Sequence, residues 1–215
     1  NAYVGYMYGT PGSNTYEETH ANINDSTIKT VLDTWYQNNL LSYSDYISTE
    51  AGFCNDRSIN TTDEVWWDQD TKLGYGTNAT AYGSYRRLLL NGSSQNPKLQ
   101  CSQENSDLFT AIESGKGNHA LKYPIGLITA DEIVLAGGFG GSDNTSYWLY
   151  TNQYYWTISP YVHPSANLFI LYSNGTLSWD NALYTIGIRP VINLDKNVTI
   201  SSGNGTIDNP YVVGA

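Results

Sequence analysis

Three histidines (His20, His119, His163), twenty acidic residues and two cysteines are the groups in this chain whose chemistry comes first into question. None of the histidines stands in a His-Glu-x-x-His spacing, which on a helix would turn two imidazoles toward one zinc ion. Each has a loop-like context that fits a solvated or structural histidine. There is no Gly-x-Ser-x-Gly turn to present a serine nucleophile and no phosphate-cradling loop. Gly137-Gly138-Phe139-Gly140-Gly141 is rich in glycine but follows a helical stretch instead of opening one, so it reads as a connection. Nothing near Cys54 or Cys101 in sequence supplies a base for a thiol nucleophile. Two carboxylates at the right separation would suffice for glycoside hydrolysis, but a chain with this many acids forms such pairs by chance. No catalytic residue is assigned.

A metal site is weighed on the acids Asp63, Glu64, Asp68 and Asp70. Calcium takes six to eight oxygens, and its helix-loop-helix site needs glycine at the sixth position. In Asp68-Gln69-Asp70-Thr71-Lys72-Leu73-Gly74, Lys72 and Leu73 occupy positions where that loop requires an oxygen ligand and glycine. A solvated acidic loop is the favoured reading; no metal ligand is assigned, and calcium is kept as the lesser alternative.

The cysteines, Cys54 and Cys101, are too few for a zinc site of paired Cys-x-x-Cys type. Two readings remain, a pair of free core thiols or one disulfide. Their flanks, Phe53-Cys54-Asn55-Asp56-Arg57 and Leu99-Gln100-Cys101-Ser102, are polar, whereas a buried thiol more often lies in an apolar run. The disulfide is favoured. It would close a loop of about 48 residues and contribute on the order of 3–4 kcal/mol by restricting the unfolded chain.

Composition supports that choice. Charged residues are only 14% of the chain, and 20 acidic against 10 basic gives a formal net charge of -10. Such a surface repels a polyanion, so nucleic acid is excluded as a partner. The 19 tyrosines and 6 tryptophans exclude a disordered chain. Abundant Asn, Ser, Thr and Gly fit an extracellular or cell-surface protein. No stretch approaches the roughly 20 apolar residues that span a bilayer. The length fits one domain over residues 1–215, and an export or anchoring segment is expected upstream of Asn1.

Local signals give an α+β pattern with helices early and antiparallel strands late. Ala2 to Tyr8 alternates as a strand. Asp25 or Ser26 caps a helix ending near Asn38-Asn39, with Ile28, Val31, Leu32 and Trp35 on one face. Further helices are expected over Thr80–Leu90, stopped by Asn91-Gly92, and from Asn105 or Ser106 through Ile112. Thr129-Ala130-Asp131-Glu132 has capping-box spacing and bounds a helix to Ala136. Leu168–Tyr172 and Leu177–Trp179 flank Asn174-Gly175, a hairpin signal read as a two-residue turn. Tyr184–Leu194 is a strand candidate whose Pro190 demands an edge or a break.

Trp156-x-x-Ser159-Pro160, the Asn174-Gly175 turn and Gly187-x-Arg189-Pro190-Val191 resemble bacterial surface domains of C-type-lectin-like fold, in the formylglycine-generating-enzyme-like branch. Phe53–Ser58 and Tyr123–Glu132 look like further blocks of uncharacterised Gram-positive secreted domains of that kind. The resemblance implies a C-type-lectin-like α+β fold, and in some relatives a pilin-type or wall-anchored subunit. The enzyme branch needs a late cysteine pair, and this chain has no cysteine after Cys101. Trp179-Asp180-Asn181 resembles the calcium motif of sugar-binding C-type lectins with its last two residues inverted.

The positive signal is aromatic and amide-rich. Trp148, Tyr155, Trp156 and Trp179 can each be core, since tryptophan is usually buried. The set exceeds what one sheet face needs, so Tyr150, Tyr154, Tyr161 and Tyr172 are expected to face outward as amphipathic contact area. Arg189 reads as a structural residue bonded to carbonyls or an ion partner. The candidate ligand-binding set is Tyr147, Trp148, Tyr150, Asn152, Tyr154, Tyr155, Tyr161, Trp179, Asp180 and Asn181. The expected function is non-enzymatic recognition or adhesion toward an uncharged glycan or a protein. Two alternatives stand beside it: an exposed subunit of a filament or pilus that binds copies of itself, and a carbohydrate-active enzyme. Eight Asn-x-Ser/Thr sequons (Asn24, Asn60, Asn78, Asn91, Asn144, Asn174, Asn197, Asn204) would accept glycans only in a eukaryotic secretory pathway.

Overall fold

A computed structural model describes residues 5–11, 13, 15–59, 80–90, 95–163 and 166–214. The acids at positions 63, 64, 68 and 70, the sequons at 60, 78 and 91 and the expected stop at 91–92 lie outside the described residues. So does the side chain of His163.

The chain opens with β1 (Met7–Tyr8), α1 (Tyr16–Thr19), β2 (Asn24–Asp25) and α2 (Thr27–Asn39). A 3-10 turn, Leu41–Tyr46, leads to β3 (Phe53–Cys54). Beyond it come β4 (Thr80–Ala81), α3 (Gly83–Tyr85), a π-helical turn (Arg86–Leu90), α4 (Glu104–Asp107) and β5 (Leu108–Phe109). The second half holds β6 (Gly126–Leu127), α5 (Ala130–Leu135), β7 (Phe139–Gly140), β8 (Tyr155–His163), β9 (Asn167–Leu171) and β10 (Thr176–Asn181). It closes with β11 (Pro190–Val191), β12 (Thr199–Ser202) and β13 (Val212–Gly214). Helices and strands are thus mixed, the helices are few, and the pairing is mainly antiparallel.

The central sheet runs β4-β8-β9-β10-β7, antiparallel except that β7 joins β10 in parallel. Successive residues of a strand point to opposite faces, and here both faces are covered. Trp156, Ile158 and Ile170 pack on one side with Leu32 and Tyr36 of α2 and with Phe53 and Phe109. Tyr155, Phe169, Leu171 and Leu177 pack on the other with Leu88 and Ile133.

Ser26 caps α2, its Oγ accepting the Lys29 N–H at 3.2 Å. The buried stripe of that helix is Lys29, Leu32 and Tyr36, while Val31 and Trp35 are exposed, contrary to the expected face. The rotation is tolerated because the Lys29 ammonium is neutralised where it is buried, by Asp33 at 2.7 Å and Asp25 at 3.4 Å. At α5 both halves of the capping box form: the Glu132 N–H donates to Thr129 Oγ1 and the Thr129 N–H donates to Glu132 Oε2.

The β9–β10 hairpin forms with a three-residue loop instead of two. The Tyr172 N–H donates to Thr176 O across Ser173, Asn174 and Gly175. Only Gly175 takes a positive φ (+80°), and a Cβ there would sit 1.7 Å from Asn144 O. Asn174 therefore stays in ordinary right-handed space, as in a type I turn closed by a left-handed glycine.

Three expected elements shorten. Thr80 and Ala81 are captured as an edge strand by β8, so helix begins only at Gly83. The third helix ends at Asp107 because Leu108 and Phe109 pair with Cys54 and Phe53. Tyr184–Leu194 is no continuous strand; Pro190–Val191 pairs with Gly126–Leu127, and Gly187 and Leu194 make single bridges to Tyr155 and Ile47. Ile59 bridges Tyr82, and the Gly83 N–H donates to Ser58 O at 2.8 Å, so those two points of the chain meet side by side.

Cys54 and Cys101 are disulfide-bonded, with Cα atoms 5.6 Å apart. The polar residues after Cys54 are not on the surface: Asn55, Asp56 and Arg57 are all buried. Arg57 donates to Met7 O, Asn22 Oδ1, Ser106 O and the Asp107 carboxylate. Asp56 and Asp131 both hold Arg87, at 2.9 and 2.6 Å. Asn55, with its amide nitrogen toward Ile158 O (2.8 Å), accepts the Tyr6 N–H at 3.0 Å.

This core can be probed at two points. Asp107→Ala strands the buried Arg57 charge and is expected to cost about 3–5 kcal/mol, read from the shift in denaturant midpoint; a loss below about 1 kcal/mol would show that Arg57 does not depend on it. His20 is stacked on Tyr16 (4.1 Å), and burial, with the Arg57 charge second, pushes its pKa down to about 3. The unfolded chain then takes up the proton first, so stability is full above the ordinary histidine value of about 6.5 and falls as pH drops toward 3. Melting temperatures of His20→Gln should fall less steeply than wild type between pH 6.5 and pH 5. Parallel curves would refute the assignment.

Candidate functional site

A groove of about 710 Å³ lies between α2 and the segment running from Asn181 to Ile188. Ile28 and Val31 of α2 form one wall, and Leu183, Tyr184, Ile186 and Ile188 form the other. Trp156, Ile158 and Leu168 of the central sheet form the floor. Local structure accounts for this geometry. Rotation of the helix buries Lys29 and leaves Ile28 and Val31 beside the opening, and the alternation along β8 sends Trp156 and Ile158 to the α2 side.

Several polar side chains line the groove, and those of Tyr6, Ser26, Thr157 and Asn181 are engaged within the fold. Ser26 Oγ donates to Tyr6 O at 2.7 Å. Tyr6 donates its hydroxyl to Ile125 O, and burial, reinforced by Asp33 and Asp25, holds that phenol neutral far above its ordinary range. Among the described residues Asp25 is the only carboxylate that lines the groove, and no Lys, Arg or His does. The arrangement suits burial of apolar groups, and its volume lies within the range of preformed ligand sites.

The residues proposed from sequence do not converge on one place. Asn181 lines the groove, its Oδ1 accepting the Leu183 N–H, while the neighbouring Asp180 Oδ1 accepts the Asn181 N–H. Tyr147, Trp148, Tyr150, Asn152 and Tyr154 sit in the loop before β8. There Trp148 is 74% exposed, Tyr154 is exposed against Tyr172 (5.2 Å), and Asn152 is exposed at φ +56°. Tyr147 is tied down, its hydroxyl donating to Gly175 O. Tyr150, half-buried, donates to Asn152 Oδ1. The loop carries no strand; β8 begins only at Tyr155.

Two of the proposed contacts are corrected. Tyr155 is 3% exposed, its hydroxyl donating to Leu149 O. Tyr161 is buried between Tyr85 and Phe169 and stacked on Trp179 at 5.2 Å. Both lie on a strand covered on both faces, so alternation turns no residue of that stretch outward. Trp179 itself is partly exposed, and Trp156 is core at the groove floor. Arg189 is structural as expected, donating to Leu149 O at 2.8 Å over the Tyr155 ring.

A smaller cavity of about 310 Å³ lies beside the disulfide and is lined by charged groups including Asp56, Arg87 and Asp131. Its guanidinium is already matched by both carboxylates, which makes it a structural centre. Among the described residues no cluster of three His, Cys, Asp or Glu side chains is placed to hold a metal ion, and no helix is long and apolar enough to cross a membrane.

Sequence reasoning missed the groove residues other than Asn181. A signal existed in Ile186-Gly187-Ile188, which alternates like a strand edge, and in the second apolar stripe of α2. Comparison with protein-family models, curated proteins and solved structures returns no match.

The burial differences are directly testable by chemical denaturation. Trp148→Ala should change stability by no more than about 0.5 kcal/mol, whereas Tyr155→Ala should cost about 3–5 kcal/mol. Equal losses would put Trp148 in the core.

Proposed function

We propose that this chain is a non-enzymatic recognition or adhesion domain of the bacterial cell exterior, built on a C-type-lectin-like scaffold, that binds a protein or an uncharged glycan. The observation that carries this reading is the groove between α2 and residues 181–188, largely apolar and open to solvent. The disulfide supports an oxidising location. The mainly antiparallel sheet covered by helices supports the scaffold. Aliphatic walls favour apolar side chains over a sugar, whose many hydroxyls need partners, so the groove speaks for the protein ligand. The exposed Trp148 and Tyr154 in the loop before β8 offer stacking faces and speak for the glycan.

The filament reading has its own observation. Thr199–Ser202 and Val212–Gly214 pair only with each other among the described strands, and Ile200, Tyr211, Val212 and Val213 are exposed. A lone two-stranded hairpin is marginal in water, and its open edges could pair with a second copy.

The deciding experiment screens the purified chain against glycan and peptide libraries while sedimentation follows its size with concentration. Binding should be lost in Val31→Gln, at an exposed position on the groove wall, and kept in Trp148→Ala. Loss in Trp148→Ala alone moves recognition to the loop. Failure to bind either library, together with concentration-dependent assembly, replaces the recognition reading with the filament one.

A further inference from the structure

Selectivity at the groove rests on its being the recognition site, and it comes from one charged feature. Asp25 stands at the mouth, the only carboxylate and, with no Lys, Arg or His beside it, the only charged side chain among the described lining residues. It shares Lys29 with Asp33, but unequally. Asp33 lies 2.7 Å from the ammonium with its side chain 15% exposed, and Asp25 lies 3.4 Å away with its side chain 43% exposed. One positive and two negative charges leave the trio at -1, and the surplus sits on the member that faces solvent and the groove. The whole chain carries -10, so the long-range field draws the same kind of partner toward the opening.

Beyond the cavity itself the apolar surface continues. Leu183 is 90% exposed, and Tyr184 and Val31 stand exposed at the two lips. A small ligand seated on the floor would leave these side chains in water. A chain that runs on past the groove would cover them, and contiguous exposed apolar rims of this kind mark contacts with macromolecules.

We propose that the groove binds a polypeptide segment in which a lysine or arginine adjoins apolar side chains. The cation pairs with the Asp25 carboxylate, and the apolar groups pack on Ile28, Val31, Leu168 and Ile186. The charge supplies orientation and encounter, and the apolar walls supply most of the affinity.

The test is fluorescence anisotropy with three labelled hexapeptide pools, each rich in Leu, Ile and Val, carrying respectively a fixed Lys or Arg, no charge, or a fixed Glu. The cationic pool should bind most tightly, more weakly as salt rises, and the Glu pool least. Asp25→Asn should weaken the cationic pool about five- to tenfold and reduce its salt dependence, with a much smaller effect on the neutral pool. Asp25→Glu should restore binding, which separates charge from any disturbance of the α2 terminus. Equal affinities for the cationic and neutral pools, or an Asp25→Asn variant that binds like wild type, would overturn the cation and leave the groove standing. Peptide binding unchanged by Val31→Gln would overturn the groove itself. Binding of oligosaccharides or of dodecylamine vesicles with no response to any peptide pool would overturn the polypeptide, as would no binding at all.

Discussion

Arg57 is the point on which the rest of the structure hangs. A guanidinium withdrawn from water must find partners for its donors and a counter-charge, or it costs several kcal/mol. It finds them in Met7, Asn22, Ser106 and Asp107, which belong to separate stretches of chain at β1, the turn before β2 and the α4 end. None of these can shift without exposing an unmatched charge, so one side chain fixes their mutual placement. The neighbours of Arg57 extend the same logic. Asn55 joins Tyr6 to Ile158, Asp56 reaches Arg87, and Arg87 reaches Asp131 on α5. The groove floor and its Tyr6 side thus share a frame whose rigidity comes from buried polar satisfaction as much as from apolar packing.

That frame was the least legible part of the sequence. Asn55-Asp56-Arg57 looks like a surface loop, and only distant partners, Asp107 for Arg57 and Arg87 for Asp56, make it interior. What sequence did show was short in range. The Ser26 cap, the Thr129 capping box and the Asn174-Gly175 turn are each decided within four residues; the first two formed as expected, and the turn formed in its place with three residues instead of two. The disulfide was inferred from polar flanks; the bond formed, but the flank after Cys54 proved to be buried. Helix α2 was located correctly and its face was not, because nothing in an i, i+3 pattern announces that Lys29 will be the buried member. The groove as a whole was not read beyond Asn181, since residues from positions 25–31, 156–168 and 181–188 build it together.

Charge is used sparingly here, and most of what lies inside is devoted to holding the fold. Arg57, Arg87 and Lys29 are each matched by carboxylates. The aromatic surplus divides in a similar way. Tyr155 and Tyr161 serve the two-faced core of the sheet, and Trp148 and Tyr154 remain outside. Among the described residues, exposed aromatic and aliphatic side chains therefore stand at the margins of the sheet, beside the groove on its α2 side and in the loop before β8.

The meeting of Ile59 with Tyr82, and of Ser58 with Gly83, has a consequence for the entropy of the chain. Positions 58–59 and 82–83 are held side by side by this pairing, which closes the chain on itself at that point. Doubling the length of chain between two points so joined costs only about 0.6 kcal/mol in closure entropy. The bond between Ser58 and Gly83 and the bridge between Ile59 and Tyr82 therefore make the closure at this seam depend only weakly on the number of residues between them.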